Sequence, residues 1–253
     1  MRTIAFVNEK GGSCKTTLSV NIAAYFASRL GRRVLLVDLD PQGQSGKSLG
    51  LDVKGAARTT LELLMDRDLG VADVAVASRI PGLDVVIANK TLTDFPIAAG
   101  ADEDRALKLK TKIDAATGYD FVVFDSPPSL GLITINIMVA AKEIVIPVNM
   151  TFLALDGCAE IVETVEAVRE GYDCPDLRVS LVVPVLYRNT RLANAILEKL
   201  REFFAERLSS TIVGYNVAID EAQSYGQTIW EYAPRSRGAE LLEALAKEIH
   251  GAV

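Results

Sequence analysis

Six short, nearly unbroken apolar runs recur along the 253 residues: Ile4–Val7, Val34–Val37, Val85–Ala88, Phe121–Phe124, Ile144–Val148 and Leu181–Val185. A run without polar alternation offers no face to water, so it suits a strand covered on both sides, as in a parallel sheet flanked by helices. Segments of helical period lie between the runs: Lys15–Leu30, Asp104–Ala116, Leu155–Glu170, Leu192–Leu208 and Ala239–His250. This alternation predicts a doubly wound α/β fold, a mostly parallel sheet with helices on both faces. Gly43–Ala57 and Ala88–Gly100 read as loops, and neither resembles a linker, so residues 1–253 read as a single domain.

Composition excludes several classes. A 49% apolar content rules out a mostly disordered chain. A net charge of −6 argues against a constitutively basic nucleic-acid binder, though not against a local basic face. Cys14, Cys158 and Cys174 include no CxxC pair, so neither a disulfide framework nor a zinc knuckle is expected, and Cys158 and Cys174 read as buried structural cysteines. The single histidine, His250, lies near the C-terminus and removes His-based catalysis. No run approaches a membrane span and no secretory signal opens the chain, so a cytoplasmic protein is expected.

The chemistry lies in Asn8-Glu9-Lys10-Gly11-Gly12-Ser13-Cys14-Lys15-Thr16-Thr17, between the first predicted strand and the first predicted helix. A glycine-rich loop in that setting is the context of a phosphate-binding loop. Gly11 and Gly12 let successive N–H groups turn inward, and the helix N-terminus adds partial positive charge. Lys15 would charge-pair with β- and γ-phosphates, and the Thr16 hydroxyl can ligate Mg²⁺. The strict pattern G-x-x-x-x-G-K-[ST] fails at Glu9 and Cys14, whereas K-G-G-x-x-K-[ST] fits, with Lys10 as an extra lysine. A left-handed backbone at Cys14 would cost about 1–2 kcal/mol, so negative φ is expected there.

Two further strands end in carboxylates. The second closes on Val37-Asp38-Leu39-Asp40-Pro41-Gln42-Gly43, and Asp38 and Asp40 share parity, so both point to one face if the strand continues. The fourth closes on Phe124-Asp125-Ser126-Pro127-Pro128. Carboxylates at C-terminal strand ends face the crevice where such sheets bind ligands.

Together these segments resemble the deviant P-loop NTPases of the ParA/MinD group, most of all the small chromosomal ParA (Soj-like) partition ATPases. Asp38–Gly43 is similar to their switch I, Tyr119–Gly131 to their Walker B and switch II, and Pro234–Ala239 to a segment near their C-terminus. The resemblance implies ATP and Mg²⁺ as cofactors, with nucleotide held by Lys10, Gly11, Gly12, Ser13, Cys14, Lys15, Thr16 and Thr17. It implies Mg²⁺ at Thr16, Asp38 and Asp125, and catalysis by Lys10, Lys15 and Asp40, with Asp40 positioning the attacking water. It also implies an ATP-sandwich homodimer in which Lys10 reaches the partner's nucleotide, with slow hydrolysis stimulated by a ParB-like or cargo-specific adaptor protein. No arginine finger is identifiable.

Such a dimer would bind DNA non-specifically and associate with the nucleoid in its ATP state. Arg188, Arg191, Lys199 and Arg201 are the candidate contacts, yet Glu198, Glu202 and Glu206 interleave, and a solvated helix explains them equally. Many relatives carry arginine where this chain has Tyr215 and Ala218. Membrane attachment of the MinD type is not expected, because the tail Ala246–Val253 is short and not basic. A metabolic P-loop enzyme of the same fold, an ATP-dependent ligase or synthetase, is the alternative. The match through Pro234–Ala239 favours the partition reading.

Overall fold

The computed structural model describes residues 1–252. One eight-stranded sheet runs in the order β3-β4-β2-β5-β1-β6-β7-β8. The strands are β1 (Arg2–Phe6), β2 (Val34–Asp38), β3 (Val76–Ala77), β4 (Leu83–Val86), β5 (Phe121–Asp125), β6 (Glu143–Asn149), β7 (Arg178–Tyr187) and β8 (Val213–Gly214). All pairings are parallel except β3 with β4.

The unbroken apolar runs have the expected cause. β2 and β5 are buried along their whole length, and alternate residues feed opposite layers. Ala5, Leu35, Val37 and Phe124 pack on one side, beneath α3 (Thr60–Met65), α6 (Lys108–Ala115), α7 (Leu132–Ala140), α8 (Ala154–Gly171) and α9 (Arg191–Phe204). Ile4, Phe6, Leu36 and Val123 pack on the other, against α1 (Lys15–Ser28), α10 (Val217–Ser224), α11 (Ile229–Tyr232) and α12 (Arg237–Gly251). Shorter helical pieces complete the chain: α2 (Gln44–Ser48), α4 (Val71–Val74), α5 (Phe95–Ala98), and 3₁₀ turns at Lys90–Asp94 and Ala205–Arg207.

Several boundaries differ from the sequence reading. Gly43–Ala57 contains α2, and Ala88–Gly100 contains a 3₁₀ turn and α5 rather than plain loop. α1 is buried almost all round from Leu18 to Ala27, because α11 and α12 cover the side turned from the sheet; it is not amphipathic. α7 carries apolar residues on every face and so leaves no period of 3.6 to detect. Cys158 is fully buried as expected, but Cys174 is half-buried, in the connection from α8 to β7. Among the described residues no helix is long and apolar enough to cross a membrane.

Arg2 joins the two ends of the chain. Its guanidinium donates to both carboxylate oxygens of Glu143 at 2.8 Å and to the carbonyls of Ile249 and His250 at 2.8 Å, closing the end of α12. Arg2→Ala leaves the buried Glu143 carboxylate only the looser Arg178 contact at 3.9 Å and the carbonyls without a donor, and should cost about 2–4 kcal/mol. Urea denaturation measures this loss, and adding Glu143→Gln should recover part of it.

Candidate phosphate-binding site

Strand order brings the sequence candidates together. β2, β5 and β1 are neighbours, and their C-terminal ends open at one edge of the sheet. Asp125 is the register partner of Asp38 on one side and of Phe6 on the other. Residues separated by most of the chain therefore meet beside the β1–α1 loop.

That loop is held from within. Asn8 donates to the Pro147 carbonyl at 2.7 Å and accepts from the Lys10 amide at 2.9 Å. Ser13 Oγ and Lys15 Nζ both donate to the Lys10 carbonyl, at 3.0 and 3.2 Å. α1 starts with no side-chain cap and no acidic residue in its first turn, so its N-terminal amides and dipole are left for an anion. Residues Gly11 to Thr17, with Asp40, line a cavity of about 470 Å³. α2 and α10 complete its walls. Lys10 does not line it: its ammonium donates to the Leu153 carbonyl at the start of α8.

Cys14 departs from expectation. Its φ is +62°, in the left-handed region, as is that of Gly12 at +70°. The chain must reverse from β1 into α1 within a few residues while turning its amides inward, and a left-handed residue just before the helix makes that turn. The surroundings hold Cys14 there against a cost of about 1–2 kcal/mol. Burial also pushes its thiol up to about 11, so the sulfur is a weak nucleophile.

The carboxylates divide their tasks. β2 ends at Asp38, so strand parity no longer relates Asp38 to Asp40. Asp38 turns inward and accepts from the amides of Asp40 and Ser45, each at 3.0 Å. Asp40 instead opens a turn, accepting from the Gln42 amide at 2.9 Å, and reaches the cavity. Ser45 Oγ donates to Asp125 Oδ2 at 2.8 Å, so one serine bridges both buried aspartates. Asp125 Oδ1 is buried with no hydrogen-bond partner, an acceptor that a cation or a water proton can satisfy. Sequence reasoning missed Ser45. Its position depends on Gly43, where a side chain would meet the Ala88 carbonyl at 2.6 Å and where φ is +61°.

Burial, and then the neighbouring Asp125, raise Asp38 well above the ordinary carboxylate range. Burial raises Asp125 to about 6, opposed by the nearby Thr16 and Ser45 hydroxyls and by Lys15. Burial lowers Lys15, with Asp125 and Asp40 acting against the shift. Two buried carboxylates with one unpartnered oxygen, beside a helix-start hydroxyl at Thr16, form a hard oxygen set suited to Mg²⁺.

The basic candidates do not form one cluster. Arg188, beyond β7, lies 5.1 Å from the centroid of the Tyr215 ring. Lys199 lines a groove between α8 and α9 with Asp156, Glu163 and Phe203. Arg201 lies two residues beyond Lys199, turned by about 200° around the helix axis. Arg191 opens α9. The wall that α10 adds to the cavity, at Asp220, Gln223 and Ser224, was also missed; Asn216 as a helix start was its one local signal.

Residues 1–179 match the family AAA_31, described as an AAA domain. Sporulation initiation inhibitor protein Soj of Bacillus subtilis is 36% identical over 249 residues, covering 98% of each chain. Chromosome-partitioning ATPase Soj of Thermus thermophilus is 38% identical over 251 residues, covering 98% of this chain and 95% of that one. The crystal structure of cobyrinic acid a,c-diamide synthase from Mycobacterium smegmatis with bound ADP and magnesium superposes with a TM-score of 0.84 at 28% identity. It covers 98% of this chain and 93% of that one.

The geometry carries two expectations. Cys14→Val, a β-branched residue forced to positive φ, should lose about 2 kcal/mol, whereas Cys14→Gly should be neutral or gain up to about 1 kcal/mol. Chemical denaturation ranks them, and a Val variant as stable as the Gly variant would contradict the left-handed assignment. The second expectation concerns pH. A carboxyl raised in the folded state lends stability below its unfolded pKa and loses it as pH rises through the folded value of about 6. In chelator, Asp125→Asn should exceed the parent in stability by about 2–3 kcal/mol near pH 8 and match it near pH 3.5. Urea midpoints across that range test this; a constant difference would disprove the titration.

Proposed function

The chain belongs to the AAA-domain family that includes the Soj and ParA partition ATPases, and from that premise we propose that it is an ATP-driven partition or cargo-positioning switch. The observation that carries the reading is the meeting of three strand ends. The lysine-bearing loop after β1 faces Asp38 and Asp125, with Asp40 on the open side. In this reading Gly11 to Thr17 cradle the phosphates and Lys15 offsets charge on the β- and γ-phosphates. Thr16 would hold Mg²⁺, with Asp38 and Asp125 behind it. Mg²⁺, when bound, neutralises charge building on the terminal phosphates during transfer. No cluster of three or more His, Cys, Asp or Glu among the described residues could hold a metal alone, so phosphate and water would complete the coordination.

Asp40 lies on a turn rather than in the buried pair, which suits it to orient water for attack. Lys10 stands outside its own cavity at the start of α8. In an ATP-bound homodimer it would leave Leu153 for the partner's nucleotide and lose that anchor on hydrolysis. Duplication of Arg188, Arg191, Lys199 and Arg201 by dimerisation would couple ATP to non-specific DNA binding at the nucleoid, and a ParB-like or cargo-specific adaptor would speed turnover. The eight strands in one sheet support treating the chain as one P-loop domain.

A ligase or synthetase is the second reading, favoured by the 28% identity to the diamide synthase; the Soj proteins, at 36% and 38%, favour partition. A mobility-shift titration with random duplex DNA separates them. Binding should appear with ATP, vanish with ADP, and weaken roughly 10²-fold between about 50 and 200 mM salt for about four phosphate contacts. Arg191→Glu should weaken it without changing ATP affinity. If no nucleotide state retains DNA at low salt, the partition reading is rejected.

A further inference from the structure

Arg79, between β3 and β4, lies outside the cavity yet fastens two of its walls. Its guanidinium donates to the Leu49 carbonyl at the C-cap of α2 and to the Gly226 carbonyl just beyond α10. Its Nε and Nη2 also donate to the Glu231 carboxylate, at 2.5 and 2.9 Å. Glu231 is itself fixed, accepting from the amide and hydroxyl of Thr228 at 2.9 and 2.8 Å. Beside this junction the chain segments touch backbone to backbone. A Cβ on Gly226, whose φ is +63°, would lie 2.9 Å from Gly50 Cα.

The two helices tied at this point pack against each other and both line the cavity. α2 contributes Gln44, Lys47 and Ser48 to its wall, and α10 contributes Asp220, Gln223 and Ser224. Gln223 Oε1 accepts from Thr17 Oγ1 at 3.3 Å, linking α10 to the phosphate loop. α2 spans only five residues, so a shift at Leu49 reaches Ser45, the bridge between Asp38 and Asp125, with little damping.

We propose that Arg79 is a positioning residue for the nucleotide, tying the C-terminal ends of α2 and α10 and so fixing where the wall they share stands against the phosphate loop. The proposal rests on reading the cavity as an ATP site. Its acceptors explain the choice of residue. Two carbonyls and a carboxylate in divergent directions require the planar fork of arginine, which lysine lacks. A half-exposed ion pair alone adds little to global stability, so the loss should show in ligand affinity before it shows in folding.

Calorimetric titration with Mg·ADP and steady-state phosphate release from Mg·ATP test the clamp in the full chain. Arg79→Met should weaken ADP binding about tenfold and raise KM by a similar factor, with kcat within about threefold of the parent. Arg79→Lys should fall between, at about threefold. Glu231→Gln, which retains a capping side chain, should act in the same direction as Arg79→Lys. Parent-like ADP affinity and KM in Arg79→Met, with only a lower melting temperature, would make Arg79 a structural tie and overturn the proposal. Should Arg79→Met not fold, parent-like KM values in both other variants overturn it equally. A parent chain that binds no ADP rejects the nucleotide reading itself and the clamp with it, whereas a binding parent with an indifferent variant rejects the clamp alone.

Discussion

Two carboxylates buried side by side set the terms for this molecule. Asp38 and Asp125 are register partners on adjacent parallel strands, both without solvent exposure, and burial resists their ionisation. A protein interior tolerates such a pair only when polar partners or a cation offset the desolvation. Here the partners are two amides and one serine hydroxyl, and one oxygen is left unmatched. The pair thus keeps an unmatched acceptor that a cation could satisfy, at the point where two strand ends and the start of α2 meet.

The neighbouring features follow from the same economy of charge. The phosphate loop has no acidic residue in the first turn of α1, and Lys15 is buried beside the carboxylates rather than extended into solvent. Left-handed residues at positions 12 and 14 aim the loop, although position 14 carries a side chain. Local backbone strain at a ligand site is held by surroundings that allow no alternative, and the hydrogen bonds converging on the Lys10 carbonyl supply that restraint.

Away from the cleft the surface is less uniform than the charge of the C-terminal third suggests. Tyr215 holds the Arg188 guanidinium over its ring, so a position without arginine still shapes a cationic spot. Lys199 lies by contrast with acidic and aromatic side chains in the groove between α8 and α9. A helix carrying basic residues two positions apart cannot present both on one face, whatever their density in sequence.

By itself the sequence determined the parallel α/β architecture, because short unbroken apolar runs alternating with segments of helical period suit strands covered on both sides. It also marked the loop between β1 and α1 as a candidate phosphate site, because glycines, lysines and a hydroxyl at fixed spacing between strand and helix state a local chemistry. Asp38 and Asp125 were legible as strand ends, but not as a buried, register-paired couple. Tertiary structure alone decided that Asp40 leaves the strand direction, that Cys14 adopts positive φ, that Ser45 bridges two aspartates, and that Arg79 joins α2 to α10. Each of these depends on contacts between segments far apart in the chain or on a backbone turn fixed by its surroundings. Local periodicity carries no record of such contacts, and α7, whose apolar residues surround the two polar side chains Thr134 and Asn136, carries no helical period to read.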